Sequence, residues 1–405
     1  MELLKDLWVL AVSGIGLLVR FLGGIVRLGG NILKPGGMKK FTCPYCMHTY
    51  RHEDIKHVCP DCGTEAHPGM SDRIGLHPVK CQTPGCGGFA TLRVCPVENC
   101  KAVLPQEVLD TKNLPFSIVG MVSSGKTNYI TVMLEELAKF HSIPLSLGAA
   151  DTRTREIHKK DKERLFGGNP VEGTAAGAIT PQIWTIKNLS RRTSNTVPTY
   201  TFTIFDGAGE NYEDHLDPSS PVCRNIRASK AIILTLDPLI LLKVREIVSD
   251  EARIASLGGK DSEAKDPMNI VNDMARYIRN AYGMRADRVL SVPVAVVLTK
   301  FDVVLNHPSF PQAATVKNDS LLTDSEGRVN EREFAAVDRE IRDWLTLIGE
   351  TAFIRALEAN FKNMCFFGVS SFGSAPDAKN HIASLKPHRV LDPVMWLFKK
   401  SGFVD

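Results

Sequence analysis

The sequence has little of what marks several protein classes. Its 405 residues carry a formal net charge of only +4, with 23% charged residues, so composition gives no reason to expect nucleic acid as a partner. There is no long low-complexity tract and no internal repeat apart from paired cysteines. What remains is a chain with 43% hydrophobic residues, which is long enough for one large domain and an accessory one.

The first 36 residues lack the marks of a signal peptide but are strongly apolar. The opening MELLKD has no net positive charge, and no small-x-small cleavage site precedes the first cysteine, which argues against a signal peptide. The run over residues 7–26 has about the ~20 residues that a bilayer-spanning helix needs. We therefore predict a membrane-associating helix over residues 1–36.

The polar residues of this segment indicate how it would meet a membrane. They recur at every seventh position, as on one side of a helix. They are Asp6, Ser13, Arg20, Arg27 and Lys34. Basic residues follow the run and acidic ones precede it, so the rest of the chain is expected to face the cytoplasm. Spanning, interfacial and buried soluble arrangements of the helix remain open.

Eight of the ten cysteines lie between residues 43 and 100, in four pairs. The first two pairs give C-x2-C-x12-C-x2-C, and the last two give C-x4-C-x8-C-x4-C. Four thiolates satisfy tetrahedral zinc and leave no open position for catalysis. We predict a double zinc ribbon over residues 40–102, in which neighbouring pairs share an ion. The predicted ligands are Cys43, Cys46, Cys59 and Cys62 for one zinc, and Cys81, Cys86, Cys95 and Cys100 for the other. Iron, or ligands from His48, His52, His57, His67 or His77, are alternatives.

A phosphate-binding motif follows in GMVSSGKT, residues 120–127. An apolar run precedes it and a helical apolar pattern follows it, which is the strand–loop–helix context that this motif requires. The loop N–H groups would surround a polyphosphate, Lys126 would reach the outer phosphates, and Thr127 would ligate Mg²⁺. The predicted nucleotide contacts are Gly120, Ser123, Ser124, Gly125, Lys126, Thr127 and Asn128.

From residue 113 to residue 405 apolar runs alternate with helical patterns. This predicts an α/β domain with a doubly wound, mostly parallel sheet and helices on both faces. The predicted strands are PFSIV, ITPQIWTIKN, PTYTFTIFD, ASKAIILTL, VPVAVVLTK and MCFFGVS. Two insertions, at about residues 239–290 and 303–330, are expected to be helical and an exposed loop respectively. They either dock partners or only elaborate the surface.

Three further motifs follow strands of this domain. DGAG places Asp206 where it can hold Mg²⁺, and Gly209 where its N–H faces the terminal phosphate. TKFD places Asp302 to accept hydrogen bonds from the N1 and N2 donors of guanine, a pair that adenine lacks. The predicted base contacts are Thr299, Lys300, Asp302, Ser370 and Ser371, the last two from SSFG. The expected ligand is GTP or GDP with Mg²⁺.

The glycine-rich loop, DGAG, TKFD and SSFG resemble the motifs of TRAFAC-class P-loop GTPases. Within that class, the DGAGE block and the terminal VLDPVMWLFKKSG are similar to bacterial double-GTPase-type proteins of conflict systems. The resemblance implies a Ras-like GTPase domain and a bacterial, multi-component defence or stress role.

The residues expected to act on the γ-phosphate depart in part from this pattern. Thr180, or alternatively Thr174, stands where such GTPases sense Mg²⁺ and the γ-phosphate. Glu210 stands where many relatives carry a water-orienting glutamine, and its carboxylate would face an anionic phosphate. Ala178 stands where some relatives carry an arginine. The predicted catalytic residues are Lys126, Thr180, Gly209 and Glu210, with Thr127, Thr180 and Asp206 around Mg²⁺. We therefore expect slow turnover that needs a partner or self-association.

These inferences combine into a membrane-tethered, GTP-hydrolysing switch with an unidentified protein effector or activator and a possible homo-oligomeric state. One alternative is a GTP-dependent scaffold with little hydrolysis. Another is an RNA- or ribosome-associated GTPase that uses the zinc ribbons. The modest charge makes nucleic acid the less expected partner.

Overall fold

The computed structural model describes residues 40–69, 78–120, 123–172, 179–207, 221–248, 267–377 and 379–405. The chain divides into two compact units: Met1–Cys43 with Thr49–Leu104, and Pro44–His48 with Pro105–Asp405. The predicted membrane helix lies outside the described residues. Within the described ranges, no helix has the length and apolar character needed to cross a membrane. Membrane association stays a prediction.

The small unit is built from short strands. They are β1 Lys40–Thr42, β2 Thr49–Arg51, β3 Lys56–Val58, β4 Glu65–Ala66 and β5 Leu92–Val94. β1 and β2 form an antiparallel pair, and β3 pairs antiparallel with β4 on one side and β5 on the other. Among the described residues, one buried apolar cluster of this unit consists of Ala66, Val79 and Ala90, and Ile55 and Leu104 are also buried. So small a core cannot support a fold of this size without other cross-links.

The large unit contains a seven-stranded sheet in the order β12-β11-β10-β6-β9-β8-β7 among the described residues. Its strands are β6 Lys112–Gly120, β7 Leu145–Ala149, β8 Ile179–Asn188, β9 Thr199–Gly207, β10 Ala231–Leu236, β11 Val294–Leu298 and β12 Met364–Gly368. Neighbours from β12 to β9 pair in parallel, whereas β8 is antiparallel to both β9 and β7. The predicted α/β, mostly parallel sheet is confirmed.

Helices lie between and beyond these strands. They are α1 Gln106–Asp110, α2 Lys126–Lys139, α3 Thr152–Phe166, α4 Pro221–Ala228, α5 Leu242–Ile247, α6 Pro267–Ala281, α7 Asp302–Leu305, α8 Glu331–Leu347, α9 Thr351–Asn360 and α10 Asp392–Lys400. α3 begins where the side chain of Asp151 accepts a hydrogen bond from Thr154 N at 2.6 Å, a standard N-cap. The charged stretch RTREIHKKDKERLF, residues 153–166, lies within this helix.

The two faces of the sheet bury separate apolar clusters. Along β10, Ile233 belongs to one cluster, and its neighbours Ile232 and Leu234 belong to the other. This alternation follows from the two-residue period of a strand. α2 and α10 supply residues to the first cluster, and α6 and α9 to the second. Both faces are covered, as expected for a parallel sheet.

Two features differ from the sequence-based expectation. β7, with sequence LSLGA, is an edge strand with no fully buried residue. Because its residues are partly small and polar, the sequence does not show the apolar run of a buried strand there. The segment 303–330 is not simply an exposed loop, because Phe310 and Val316 are fully buried. The Phe310 ring packs 5.3 Å from the Trp344 ring of α8. A few widely spaced apolar residues anchor an otherwise polar segment in the core.

Candidate nucleotide and metal sites

The glycine-rich loop joins β6 to α2 through two left-handed backbone positions. Ser123 has φ 62° and Gly125, the N-cap of α2, has φ 76°. Positive φ is easy for glycine and costs a serine energy, so the Ser123 conformation is one that its surroundings impose. Turns with residues in this region aim successive N–H groups at a common point and form anion-binding concavities.

Gly120 must be glycine because of the neighbouring strand. A Cβ atom added there would lie 2.2 Å from Thr235 Oγ1 and 2.4 Å from the Thr235 carbonyl oxygen of β10. The hydroxyls of Ser124 and Thr235 are 3.1 Å apart. Thr235, which sequence analysis did not single out, therefore holds the loop against the sheet.

Lys126, the first residue of α2, is buried, and its ammonium donates to the carbonyl oxygen of Gly120 at 3.0 Å. The side chain thus folds back over the first residue of the loop. A buried ammonium is costly unless it is paired, and phosphate oxygens held by the same loop would supply negative charge there.

A candidate Mg²⁺ position lies beside the loop. The Thr127 hydroxyl donates to Asp206 Oδ2 at 2.8 Å, and Asp206 lies near the end of β9. Thr180 pairs in register with Asp206 across β8 and β9, so its backbone lies beside that of Asp206, whose carboxylate contacts Thr127. Hydroxyl and carboxylate oxygens are hard donors of the kind that Mg²⁺ prefers, so these residues fit the ion. The side chain of Thr180 lies outside the described part of the structure, as do Thr174, Gly209 and Glu210.

TKFD is tied directly to the phosphate loop. The Thr299 hydroxyl lies 2.8 Å from the Ser124 carbonyl oxygen and 3.1 Å from that of Leu236. Lys300 has φ 49°, and its ammonium donates to Asp237 Oδ2 at 2.7 Å. Asp302 begins α7. TKFD and the phosphate loop, which are far apart along the chain, are therefore neighbours in space.

Asp237 is a site residue that sequence analysis missed. It directly follows β10, and parallel strands bring their carboxyl ends to one edge of a sheet, where ligands commonly bind. That position was the available signal. Its carboxylate holds the ammonium of Lys300 and so sets the direction of the lysine side chain beside Asp302.

The SSFG loop follows β12, next to TKFD. Phe301 N donates to the Val369 carbonyl oxygen at 3.0 Å, and a Cβ on Gly368 would meet the Phe301 ring at 2.5 Å. The Ser370 hydroxyl accepts from Gly373 N at 2.8 Å, so it shapes the loop itself. Ser371 is half-buried.

The side chain of Asn128 has a structural contact, and the predicted nucleotide contact of this residue stays a prediction. Its side-chain oxygen accepts a hydrogen bond from Val171 N at 2.8 Å. The side chain therefore anchors the segment that follows α3, and this oxygen is not directed to a nucleotide. Spacing next to Thr127 suggested the nucleotide role, but the fold brings residue 171 to the same place.

The eight cysteines form two groups, but not the predicted ones. Cys43, Cys46, Cys95 and Cys100 form one group, and Cys59, Cys62, Cys81 and Cys86 form the other. The prediction that neighbouring pairs share an ion is wrong, because the first pair joins the fourth and the second joins the third. β3 and β5 are antiparallel, so the pairs that follow these two strands lie at opposite ends of the sheet.

The sulfur geometry fits zinc in both groups. Within each group all four sulfurs lie within 4.8 Å of one another. The separations are 3.9 Å for Cys43–Cys100, 3.7 Å for Cys59–Cys86 and 3.5 Å for Cys62–Cys81. Sulfurs around tetrahedral zinc, with bonds of about 2.3 Å, are separated by about 3.8 Å.

All four cysteine pairs share one turn geometry. The residue after the second cysteine is left-handed in each: Met47 (φ 58°), Gly63 (φ 70°), Gly87 (φ 66°) and Lys101 (φ 47°). The first cysteine N–H donates to the carbonyl two residues past the second cysteine, at 3.0 Å for Cys59, 2.9 Å for Cys81 and 2.9 Å for Cys95. Because Met47 and Lys101 adopt this conformation at an energetic cost, the turns are shaped for ligand placement.

Comparison with known proteins finds no matching protein family and no matching curated protein. Among solved structures, the chain is similar to the S. cerevisiae Ski7 GTPase-like domain bound to GTP, with 12% identity and a TM-score of 0.35, over 72% of this chain and 50% of that one. It is also similar to Sup35 complexed with GDP, with 12% identity and a TM-score of 0.24, over 69% and 43%. The chain spans about half the length of the structures it matches. Similarity at this level assigns neither a family nor an activity to the chain.

Proposed function

We propose that this protein binds GTP with Mg²⁺ and hydrolyses it slowly, as a molecular switch. The observation that carries the proposal is the 2.8 Å contact between the Thr299 hydroxyl and the Ser124 carbonyl oxygen. It joins a phosphate-binding loop to a motif whose aspartate suits guanine. One ligand with a polyphosphate at one end and guanine at the other meets both requirements.

The phosphate end is supported by charge and by hard oxygen donors. Lys126 is buried over the loop, and the Thr127–Asp206 pair offers two oxygens for Mg²⁺ beside it. When bound, Mg²⁺ would neutralise charge on the outer phosphates. The residues of this chain hold the phosphate chain and orient it.

Base choice tests the proposal most sharply. Asp302→Asn should weaken GTP binding by roughly 10²-fold or more, because the carboxylate that accepts from guanine N1 and N2 is lost. The same variant should bind xanthosine triphosphate better than GTP, because an amide can donate to the carbonyl that xanthine carries in place of the 2-amino group. Fluorescent-nucleotide titration measures both affinities.

Lys126→Ala serves as the matched control, because it should weaken every triphosphate to a similar extent and leave the preference for the base unchanged. Wild-type protein that prefers ATP, or an Asp302→Asn variant with unaltered base preference, would contradict the proposal.

Slow turnover is supported by Glu210, whose carboxylate would lie near an anionic phosphate. We expect the purified protein to hydrolyse GTP well below 1 s⁻¹ and nearer the ~10⁻⁴ s⁻¹ of an unaided small GTPase. Single-turnover phosphate release measures this rate. A second candidate, a GTP-dependent scaffold, also draws on Glu210; GTP-sensitive partner capture with no phosphate release would select it.

The surroundings of the switch belong to the same proposal. Two zinc ions would cross-link the small unit, residues 1–36 would attach the protein to a membrane with the GTPase domain in the cytoplasm, and a bacterial conflict-type system would supply an effector. The geometry of the sulfurs supports the zinc, and the polar stripe from Asp6 to Lys34 supports the membrane. Flotation of the full chain with anionic vesicles, compared with a chain that begins at residue 40, tests the attachment. Equal recovery of both would refute it.

A further inference from the structure

Residues 379–391, here called the strap, run past several parts of the nucleotide-binding unit. Ile382 N donates to the Gly168 carbonyl oxygen at 2.7 Å, and Lys386 N donates to that of Phe372 at 2.8 Å. Ser370 and His388 exchange both backbone hydrogen bonds, at 3.0 and 2.8 Å. Residues 370–373, here called the serine loop, are therefore held by the strap along most of their length.

His388 extends this attachment through its side chain. Its Nε2 lies 2.7 Å from the Val316 carbonyl oxygen. A carbonyl can only accept, so Nε2 carries the proton in this contact. Burial lowers the pKa of His388, which favours the neutral ring. His388 thus joins the serine loop, through its backbone, to residue 316, through its imidazole.

The 315–317 turn, which the His388 imidazole contacts, is itself held by several hydrogen bonds. The carboxylate of Glu340, on α8, accepts from Thr315 N at 2.8 Å and from Val316 N at 3.0 Å. Arg389 donates to the carbonyl oxygens of Thr315 and Asn318 at 3.2 and 3.1 Å. The Val316 side chain is fully buried. The 315–317 turn is thus a firm anchor on the side of the imidazole.

The serine loop and the guanine motif meet on the other side. Phe301 N donates to the Val369 carbonyl oxygen, so the residue directly before Asp302 is hydrogen-bonded to the residue directly before the serine loop. A displacement of the serine loop would therefore change the distance between this loop and the base that Asp302 would hold.

We propose that His388 is a positioning residue for guanine recognition. It holds the serine loop at the position from which the loop backbone contacts the base. The proposal rests on the GTP-binding function proposed above. It also gives the 303–330 insertion a role: the insertion anchors His388 and thereby fixes the serine loop near the base.

The test is the dissociation rate of fluorescent GDP from the full-length protein. His388→Ala should raise this rate about tenfold, as expected when about 1.4 kcal/mol of hydrogen-bond energy is lost. It should also reduce the preference for GDP over ADP, whose base carries an amino group in place of the 6-oxo group that a backbone N–H of the serine loop could meet. His388→Gln retains an N–H that can reach the Val316 carbonyl and should restore both properties to near wild type.

His307→Ala is the matched control, because it removes an imidazole from the same insertion whose ring nitrogen contacts Ser309. It should leave the dissociation rate and the base preference unchanged. Tripolyphosphate affinity should be the same in all variants, because the phosphate loop is untouched.

Three results would overturn the inference: an unchanged rate in His388→Ala, an equal rise in His307→Ala, or a His388→Gln variant as fast as the alanine variant. If His388→Ala fails to fold, His388→Phe takes its place: it fills the same space without an N–H, should show the same rise in rate, and overturns the inference if it does not. Failure of the wild-type protein to bind any guanine nucleotide is a different result, visible before any variant is made, and it refutes the proposed function together with this inference.

Discussion

The two units of the protein stabilise their folds in different ways. Among the described residues, the small unit buries an apolar cluster of Ala66, Val79 and Ala90. It also carries seven of the eight grouped cysteines, and the eighth, Cys46, lies in the Pro44–His48 segment of the large unit. The large unit buries an extensive apolar cluster on each face of its sheet. We expect the first to depend on metal–sulfur bonds between turns, whereas the second rests on the packing of large side chains.

The difference shows what decides which groups come together in each unit. In the small unit, four similar turns could in principle combine in several ways, and only the strand pairing decides which two share an ion. In the large unit, the site is formed by carboxyl ends of parallel strands, whose order determines which motifs meet.

The largest expected effect tests the pairing of the cysteine turns. Cys43→Ser with Cys95→Ser should leave one zinc of two, because both ligands serve the same ion. Cys43→Ser with Cys59→Ser should leave none and unfold the small unit, because structural zinc supplies about 10–16 kcal/mol of apparent binding energy. Metal analysis of the purified protein counts the ions. One zinc retained by the second double variant would contradict the nested pairing.

An intermediate effect is expected in the core of the large unit. Phe116 is fully buried, and its ring lies 5.1 Å from that of Phe202 and 5.9 Å from that of Phe398. Phe116→Ala should lower the free energy of unfolding by about 3–5 kcal/mol without changing zinc content. Urea unfolding measures the loss.

Leu347→Ala is the control for the core variant, because Leu347 is 72% exposed and should change stability by at most ~0.5 kcal/mol. Loss of zinc in Phe116→Ala would contradict the view that metal stabilises one unit and side-chain packing the other.

The smallest expected effect concerns a buried carboxyl group. Burial raises the pKa of Asp392 to about 6, although Arg389 opposes the shift. The folded protein therefore binds more protons than the unfolded chain between about pH 4 and 6, and this group makes folding less favourable as pH rises through that window. A shift of about two pKa units corresponds to at most about 3 kcal/mol.

Asp392→Asn removes this dependence. As pH falls from 7 to 4, the free energy of unfolding of the wild-type protein should rise relative to that of the variant. Urea unfolding at several pH values compares the two proteins. Parallel pH curves would show that Asp392 does not titrate as expected.

Much of the site was predictable because its motifs are local. The turn geometry of each cysteine pair and the positive φ at Gly125 involve residues only a few positions apart, so spacing alone indicates them. The six predicted strands of the large unit were equally visible: four contain continuous apolar runs, as buried parallel strands do, and β8 and β9 mix apolar with polar residues. The half-exposed β7 gave no such signal.

Contacts across long sequence separations were not predictable in the same way. Asp237 reaches Lys300 across 63 residues, and His388 reaches Val316 across 72. Neither pair has a spacing rule, because each contact depends on how distant segments of the chain fold together. The burial of Phe310 was missed for the same reason.

The sequence by itself determined the local motifs: four cysteine turns, a glycine-rich loop of the phosphate-binding type and the TKFD motif, since each is set by neighbours along the chain. The tertiary structure decided which of these share a ligand. The antiparallel pairing of β3 with β5 sorted the cysteine turns into nested groups, and the parallel order of the large sheet brought Thr299 to Ser124 across 175 residues. The physical reason is that a ligand site needs groups close in space, and strand register determines that closeness.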